Sequence, residues 1–237
     1  MAIDLHDLKL FADGADRAGI LKLRDHPMIK GFTTNPTLMR CAGIDDYESF
    51  ALDLIQLVPD RPLSFEVFSD DFDTMEEQAR KIASWGDHVY VKVPITNTRG
   101  DSSAELQQRL AGAGVKINVT ALMTVAQVER TVANLAGGPP AFISVFAGRI
   151  ADTGRDPVPI MRDALAAMTA APNIELMWAS TRELLNVVQA ASIGCHIITV
   201  THDLLNKLPT LGRDLDEFSL DTVKMFHRDA EHAGYSL

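Results

Sequence analysis

Eight short runs rich in β-branched and aromatic residues recur along the chain, alternating with longer stretches in which apolar residues keep helical spacing. The first four are LKLFAD (8–13), IKGFTTN (29–35), LSFEVF (63–68) and HVYVKVP (88–94). The others are KINVTAL (116–122), AFISVFAG (141–148), IELMWAS (174–180) and HIITVT (196–201). The segments between them carry helix signals. In DDFDTMEEQARKIASWGD the opening acids suit a helix N-terminus, and Met75, Ala79, Ile82 and Ala83 share one face. In TVAQVERTVANLAGG, Thr124 is placed to cap the helix and Gly137 to stop it. Eight such units, unbroken by linkers or low complexity, predict an α/β fold: a single (β/α)8 TIM barrel domain over residues 1–237. Beyond the eighth unit the spacing predicts a C-terminal helix over about 214–235, with Val223, Phe226, Ala230 and Ala233 on one face. That helix can close the barrel, lie across a neighbouring subunit, or both. A doubly wound sheet is the competing fold, but FADGADRAG lacks the G-x-G-x-x-G pattern that fold favours after its first strand.

Composition narrows the function classes. The 237 residues are 46% hydrophobic, enough for a large core, yet no apolar run reaches the roughly 18 to 20 residues of a membrane span. The chain therefore reads as soluble. Its opening, MAIDLHDLKLFAD, carries acids and lacks the basic and apolar regions of a signal peptide, which suits a cytoplasmic protein. Net charge is −10 with no basic stretch, which argues against nucleic acid as a partner. A local cluster of arginines can still attract a small anion. Cys41 and Cys195 are too few for a disulfide framework and are expected to be small core residues. Histidines 6, 26, 88, 196, 227 and 232 show no ligand spacing, so no metal centre is expected; His202 follows the last strand and is placed to line a site.

Within VYVKVPI (89–95), Lys92 interrupts an otherwise apolar run. Three readings are open: an edge strand facing water, a stem along apolar surface with its charge at the rim, or a buried amine. In apolar surroundings desolvation lowers a lysine's pKa, and the neutral amine attacks carbonyls. The barrel reading bears on the choice, because chemistry in such folds gathers at the C-terminal ends of the strands. Those ends carry Asp13, then Thr33, Thr34 and Asn35, then Glu66, Lys92, and Asn118 with Thr120. They continue with Phe146 and Arg149, Ser180 and Arg182, and Thr201 with His202. A lysine facing two carboxylates, hydroxyls and amides around one ring is the layout of a catalytic site. Singly, Asp13 also reads as a helix cap before GADRAG, and each arginine as a solvated surface residue.

Five blocks at these strand ends, in this order, resemble the transaldolase family, including its short branch with the fructose-6-phosphate aldolases. They are GFTTNPTL (31–38), VYVKVPIT (89–96), INVTAL (117–122), ISVFAGRI (143–150) and WASTRE (178–183). The resemblance spans essentially the whole chain. It implies a class I Schiff-base enzyme acting on sugar phosphates, without metal or organic cofactor. By the same resemblance, Lys92 attacks a ketose carbonyl, Asp13 exchanges the proton of the C4 hydroxyl, and Glu66 with Thr120 handles the water of carbinolamine chemistry. Thr33, Thr34, Asn35 and Asn118 contact the sugar, while Arg149, Ser180 and Arg182 hold its phosphate, for which guanidinium forks are well shaped.

Family members that act as aldolases tend to carry Tyr where this chain has Phe146 and Gln where it has Glu66. Both residues therefore favour transfer of a dihydroxyacetone unit, from a ketose phosphate such as sedoheptulose 7-phosphate or fructose 6-phosphate to an aldose phosphate, as in the pentose phosphate pathway. Release of free dihydroxyacetone, or a non-catalytic sugar-phosphate-binding barrel, are the alternatives. Short family members commonly assemble into rings, often decamers, which implies a homo-oligomer. Two positions depart from the pattern. Arg99 in NTRGDSS (97–103) stands where an acid and a glycine are common, as either an additional anion contact or a solvent-facing loop cation, and Thr181 stands where an aromatic is usual.

Overall fold

The computed structural model describes residue 5 and residues 7–235; His6 and the ends of the 1–237 domain reading, residues 1–4, 236 and 237, lie outside them. All eight runs form strands: β1 (Lys9–Asp13), β2 (Ile29–Thr33), β3 (Leu63–Glu66), β4 (Val89–Pro94), β5 (Ile117–Leu122), β6 (Ala141–Val145), β7 (Ile174–Trp178) and β8 (Ile197–Thr201). Each is parallel to the next, and β8 pairs back onto β1 to close the barrel. The helices through the fourth unit are α1 (Arg17–Leu23), α2 (Pro36–Cys41), α3 (Tyr47–Leu57), α4 (Phe72–Ala83) and α5 (Ala104–Gly112). There follow α6 (Val125–Leu135), α7 (Ala147–Asp152), α8 (Pro157–Ala167), α9 (Leu185–Ser192), α10 (His202–Leu205) and α11 (Leu215–Ala233).

Local chemistry explains the helix boundaries. The Asp71 carboxylate caps α4 by accepting from the Thr74 N–H, and Met75, Ala79 and Ile82 turn inward. At α6, Thr124 and Gln127 form a reciprocal capping box, and Gly137, at φ 76°, takes the left-handed turn that follows. Strand ends differ more from the sequence reading. Thr34 and Asn35 lie past β2, Val67 and Phe68 past β3, and Phe146–Gly148 past β6. Thr34, Val67, Phe68 and Phe146 are apolar or β-branched enough to look extended, but the chain there has already left the sheet.

The main core lies between the sheet and the helices. A second cluster plugs the barrel interior: Tyr90 stacks on Phe142 with centroids 3.9 Å apart, and Phe11 meets Phe142 edge-on at 5.6 Å. Gly31 makes room for this plug, since a methyl group there would stand 2.5 Å from the Phe11 ring. Gly31→Ala is expected to cost about 1 to 3 kcal/mol through overpacking, read as a lower urea midpoint with unchanged slope.

The C-terminal helix forms as predicted but does not close the barrel. No described residue of α11 is buried, and Val223 and Phe226 are 59% and 62% exposed. Cys195 is in the core, where burial pushes its thiol up to about 12. Cys41, expected in the core, is exposed at the end of α2. Among the described residues no helix is long and apolar enough to cross a membrane.

Candidate active site

Register assembles the centre of the site. Glu66 on β3 lies opposite Lys92 on β4, and Lys92 lies opposite Asn118 on β5. A closed barrel has no free edge, which removes the edge-strand reading of Lys92, and its 6% exposure removes the snorkelling one. The Lys92 Nζ donates to the Thr34 carbonyl at 3.0 Å and stands 3.4 Å from Glu66 Oε2. Its strand neighbours are hydrocarbon, as the sequence suggested, but the nitrogen itself is met by oxygen.

Asp13 closes β1 and accepts a 2.6 Å hydrogen bond from the Thr33 hydroxyl. Burial pushes its carboxyl above the usual range, opposed by the Lys92 charge, the Thr33 hydrogen bond and the His202 charge. The cap of α1 is Asp16, which accepts from the Ala18 and Gly19 N–H groups, so Asp13 is free for other work.

A cavity of about 110 Å³ is lined by Lys92 together with Asp13, Thr33, Asn35, Thr120, Phe146, Arg149 and Ser180. Asn35 has two jobs: its carbonyl oxygen caps α2 by accepting from the Leu38 N–H, leaving its amide NH₂ for the cavity. The Thr120 hydroxyl is buried without a partner, and so is that of Thr34. Thr120 lines the cavity and Thr34 does not, so the Thr120 hydroxyl is the one ready to accept from or donate to a bound water or substrate oxygen. Asn118 is engaged by both ends of its amide: it donates to the Ser64 hydroxyl at 3.2 Å and accepts from Ser144 at 2.6 Å. It does not line the cavity; Ser144 does.

At the mouth, the Arg149 guanidinium lies 5.5 Å from the Phe146 ring centroid, a cation–π contact that steers an exposed side chain toward the opening. Ser180 adopts φ 63°, a left-handed conformation that costs a non-glycine residue about 1 kcal/mol or more. Gly148 accommodates it, because a side chain there would overlap the Ser180 carbonyl. Thr181 donates to the Thr199 carbonyl at 2.5 Å and ties this turn to β8.

Arg182 is not brought into the cavity. It forks onto Asp152 at the exposed rim, and holds that carboxyl below its usual range. Arg99 is likewise engaged, by Asp70 and Asp101, which favours the loop-cation reading. His202 does not line the cavity; its imidazole packs where side chains at Gly14 and Gly19 would otherwise be. Ser144, Met177, Ala179 and Thr199 line the cavity and escaped the sequence reading. Period-two alternation from Phe146 points to Ser144, and from Thr201 to Thr199, so a signal existed one step deeper in each strand.

An amine beside one carboxylate, sharing a cavity with a second carboxylate, an unpartnered hydroxyl and a guanidinium, can attack a carbonyl, move protons and hold an anion. The family model for transaldolase/fructose-6-phosphate aldolase matches residues 10–237. The chain belongs to this family. A probable transaldolase of Dehalococcoides mccartyi is 33% identical over 202 residues, covering 85% of this chain and 90% of that protein. One of Streptococcus pyogenes serotype M5 is 35% identical with the same coverage. Solved structures share the barrel at low identity. The 3-hexulose-6-phosphate synthase of Salmonella typhimurium superposes with TM-score 0.58 at 14% identity, over 84% of this chain and 91% of that one. The dihydrodipicolinate synthase of Rhodopseudomonas palustris superposes with TM-score 0.56 at 13% identity, over 84% and 72%. These likenesses concern the fold alone.

Proposed function

We propose that the protein is a transaldolase, moving a dihydroxyacetone unit between sugar phosphates through a Schiff base on Lys92. The observation that carries this reading is the buried Lys92 amine, 3.4 Å from Glu66, lining the same cavity as Asp13. Lys92 attacks the C2 carbonyl of a ketose phosphate, and Glu66 with the Thr120 hydroxyl holds the water lost as the carbinolamine becomes an iminium. Asp13 takes the C4 hydroxyl proton; the C3–C4 bond breaks, its electrons flow to the iminium, and an aldehyde departs from the enamine. An acceptor aldose phosphate then reverses these steps. Asn35, Thr33 and Ser144 are the cavity groups nearest in kind to the donor hydroxyls. Phe146, which has no hydroxyl to order a protonating water, supports transfer over release of free dihydroxyacetone.

Incubation with fructose 6-phosphate and borohydride, followed by mass spectrometry, is expected to leave a reduced three-carbon adduct on Lys92. Turnover should require erythrose 4-phosphate. Dihydroxyacetone released without an acceptor would reassign the protein as an aldolase, and binding without any adduct would make it a silent barrel.

Arg149 and Ser180 are the phosphate contacts in this reading, with Arg182 joining only if its Asp152 fork opens. Arg149→Ala is expected to lower kcat/KM roughly 10- to 100-fold, mainly through KM, while Arg182→Ala has a smaller effect. The protein also works as a homo-oligomer in this proposal, since α11 leaves Phe218, Val223 and Phe226 uncovered. Light scattering at micromolar concentration should give a multiple of the chain mass; a monomer would overturn it.

A further inference from the structure

We propose that Tyr47 is a positioning residue that fixes the Glu66 carboxylate against Lys92; the inference rests on the role given to Glu66 above. The evidence begins with a gap in the sheet. The β2–β3 ladder pairs only Phe32 with Leu63 and Thr33 with Ser64, and its last bond runs from the Thr34 N–H to the Ser64 carbonyl at 3.2 Å. In a parallel strand both backbone groups of one residue face the same neighbour. The next residue of β3 facing β2 is therefore Glu66, at the point where β2 has already turned away to become the cap of α2. Its N–H and C=O would be orphaned inside the wall.

Tyr47 fills that gap from outside the barrel. Its phenol oxygen accepts the Glu66 N–H at 2.8 Å and donates to the Glu66 carbonyl at 2.8 Å, replacing with one hydroxyl what the missing strand residue would have supplied. Burial pushes the phenol's pKa up, so it stays protonated and keeps its donor. The ring is itself held: Tyr47 is the first residue of α3, whose cap Asp46 accepts from the Ser49 N–H at 3.0 Å. Phe68 meets it edge-on at 5.4 Å, and Trp85 lies at 6.4 Å.

On the other side of the strand, Glu66 is in register with Lys92, and the Val67 N–H donates to the Lys92 carbonyl at 3.1 Å. The strand end is thus held by Tyr47 at Glu66 on one edge and by Lys92 at Val67 on the other, which sets the direction in which the Glu66 side chain leaves the backbone, and its carboxylate reaches to 3.4 Å from the amine. Without the hydroxyl the strand end gains freedom, and an acid–base group displaced by an ångström loses rate more than it loses affinity.

The test is a double-mutant cycle with Glu66. Tyr47→Phe keeps the ring and deletes both bonds; kcat is expected to fall about tenfold with KM changed less than about twofold. In a Glu66→Ala background the same substitution should change kcat less than about twofold, because the group it positions is gone. An equal loss in both backgrounds would make Tyr47 merely structural and overturn the proposal. If Glu66→Ala alone leaves turnover intact, it is the assigned role of Glu66 that fails. Phe68→Ala gives a second reading in a residue that is 62% exposed and therefore tolerant of change: it loosens the Tyr47 ring without removing the hydroxyl. It should lower kcat about twofold to threefold in the parent protein and not in the Glu66→Ala background; an equal effect in both again overturns the inference.

Discussion

Lys92→Met is expected to lower kcat by on the order of 10⁴-fold or more, and to abolish borohydride-trapped adduct entirely. Methionine fills a similar volume, so packing of β4 among Val91, Val93 and their neighbours is retained while the nucleophile is lost. A second effect compounds the first. The Lys92 charge is the largest influence holding the Asp13 carboxyl down against burial, so its removal pushes that carboxyl still higher and closer to the protonated state. Lys92→Arg separates the two contributions, because a guanidinium keeps the charge beside Asp13 and Glu66 but does not form an imine. Both variants should be inactive by a coupled assay, while only the methionine variant should show an altered titration of Asp13 by carbonyl-isotope infrared or NMR measurement. An adduct that persists at another lysine in either variant would refute the assignment of the nucleophile.

The fold was legible because barrel periodicity is written into every unit: each strand lies within its predicted run, with the observed bounds trimmed by up to three residues. What trimming removed is informative. The ends of the runs at Asn35, Phe68, Gly148 and Ser180 are where strand pairing gives way to caps, a tight helix turn and a left-handed residue, and alternating hydrophobicity carries no record of which pair is the last to bond. Among the candidate site residues, Asp13, Lys92 and Thr120 line one cavity and Glu66 stands beside Lys92 without lining it, because register brings strand ends together. Arg182 and Asn118 did not follow. Whether an arginine turns inward or onto an acid such as Asp152, thirty positions away, depends on a distant loop. Whether Asn118 faces the cavity depends on Ser64 and Ser144, which hold its amide, and nothing local in INVTAL encodes those partners. Tyr47 was invisible for the same reason: it acts through backbone atoms of a strand end whose missing neighbour is a property of the closed sheet.

Asp13→Asn is expected to reduce kcat by roughly 10²- to 10⁴-fold while leaving Lys92 competent to form the first imine. The amide preserves shape and can still receive the Thr33 hydroxyl, but it cannot take the C4 proton, so reaction should stall before C3–C4 cleavage. Mass spectrometry of the borohydride-trapped variant should therefore find the whole ketose phosphate on Lys92, in place of the three-carbon fragment; a three-carbon adduct formed at the parent rate would exclude Asp13 as the base. The pH dependence has a definite sign. A general base must be ionised, and because burial raises the Asp13 pKa, the acid limb of kcat/KM in the parent protein lies above the ordinary aspartate value of 3.8. The same shift bears on folding. The native state holds this proton more tightly than the unfolded chain does, so as pH rises from the unfolded pKa through the folded one the native state loses stability relative to the unfolded state. Asp13→Asn lacks that loss. Its stability relative to the parent should rise with pH across that window, measured by urea denaturation at a series of pH values, and a flat difference would mean that the carboxyl is not held in the strained, ionised state that its chemistry demands.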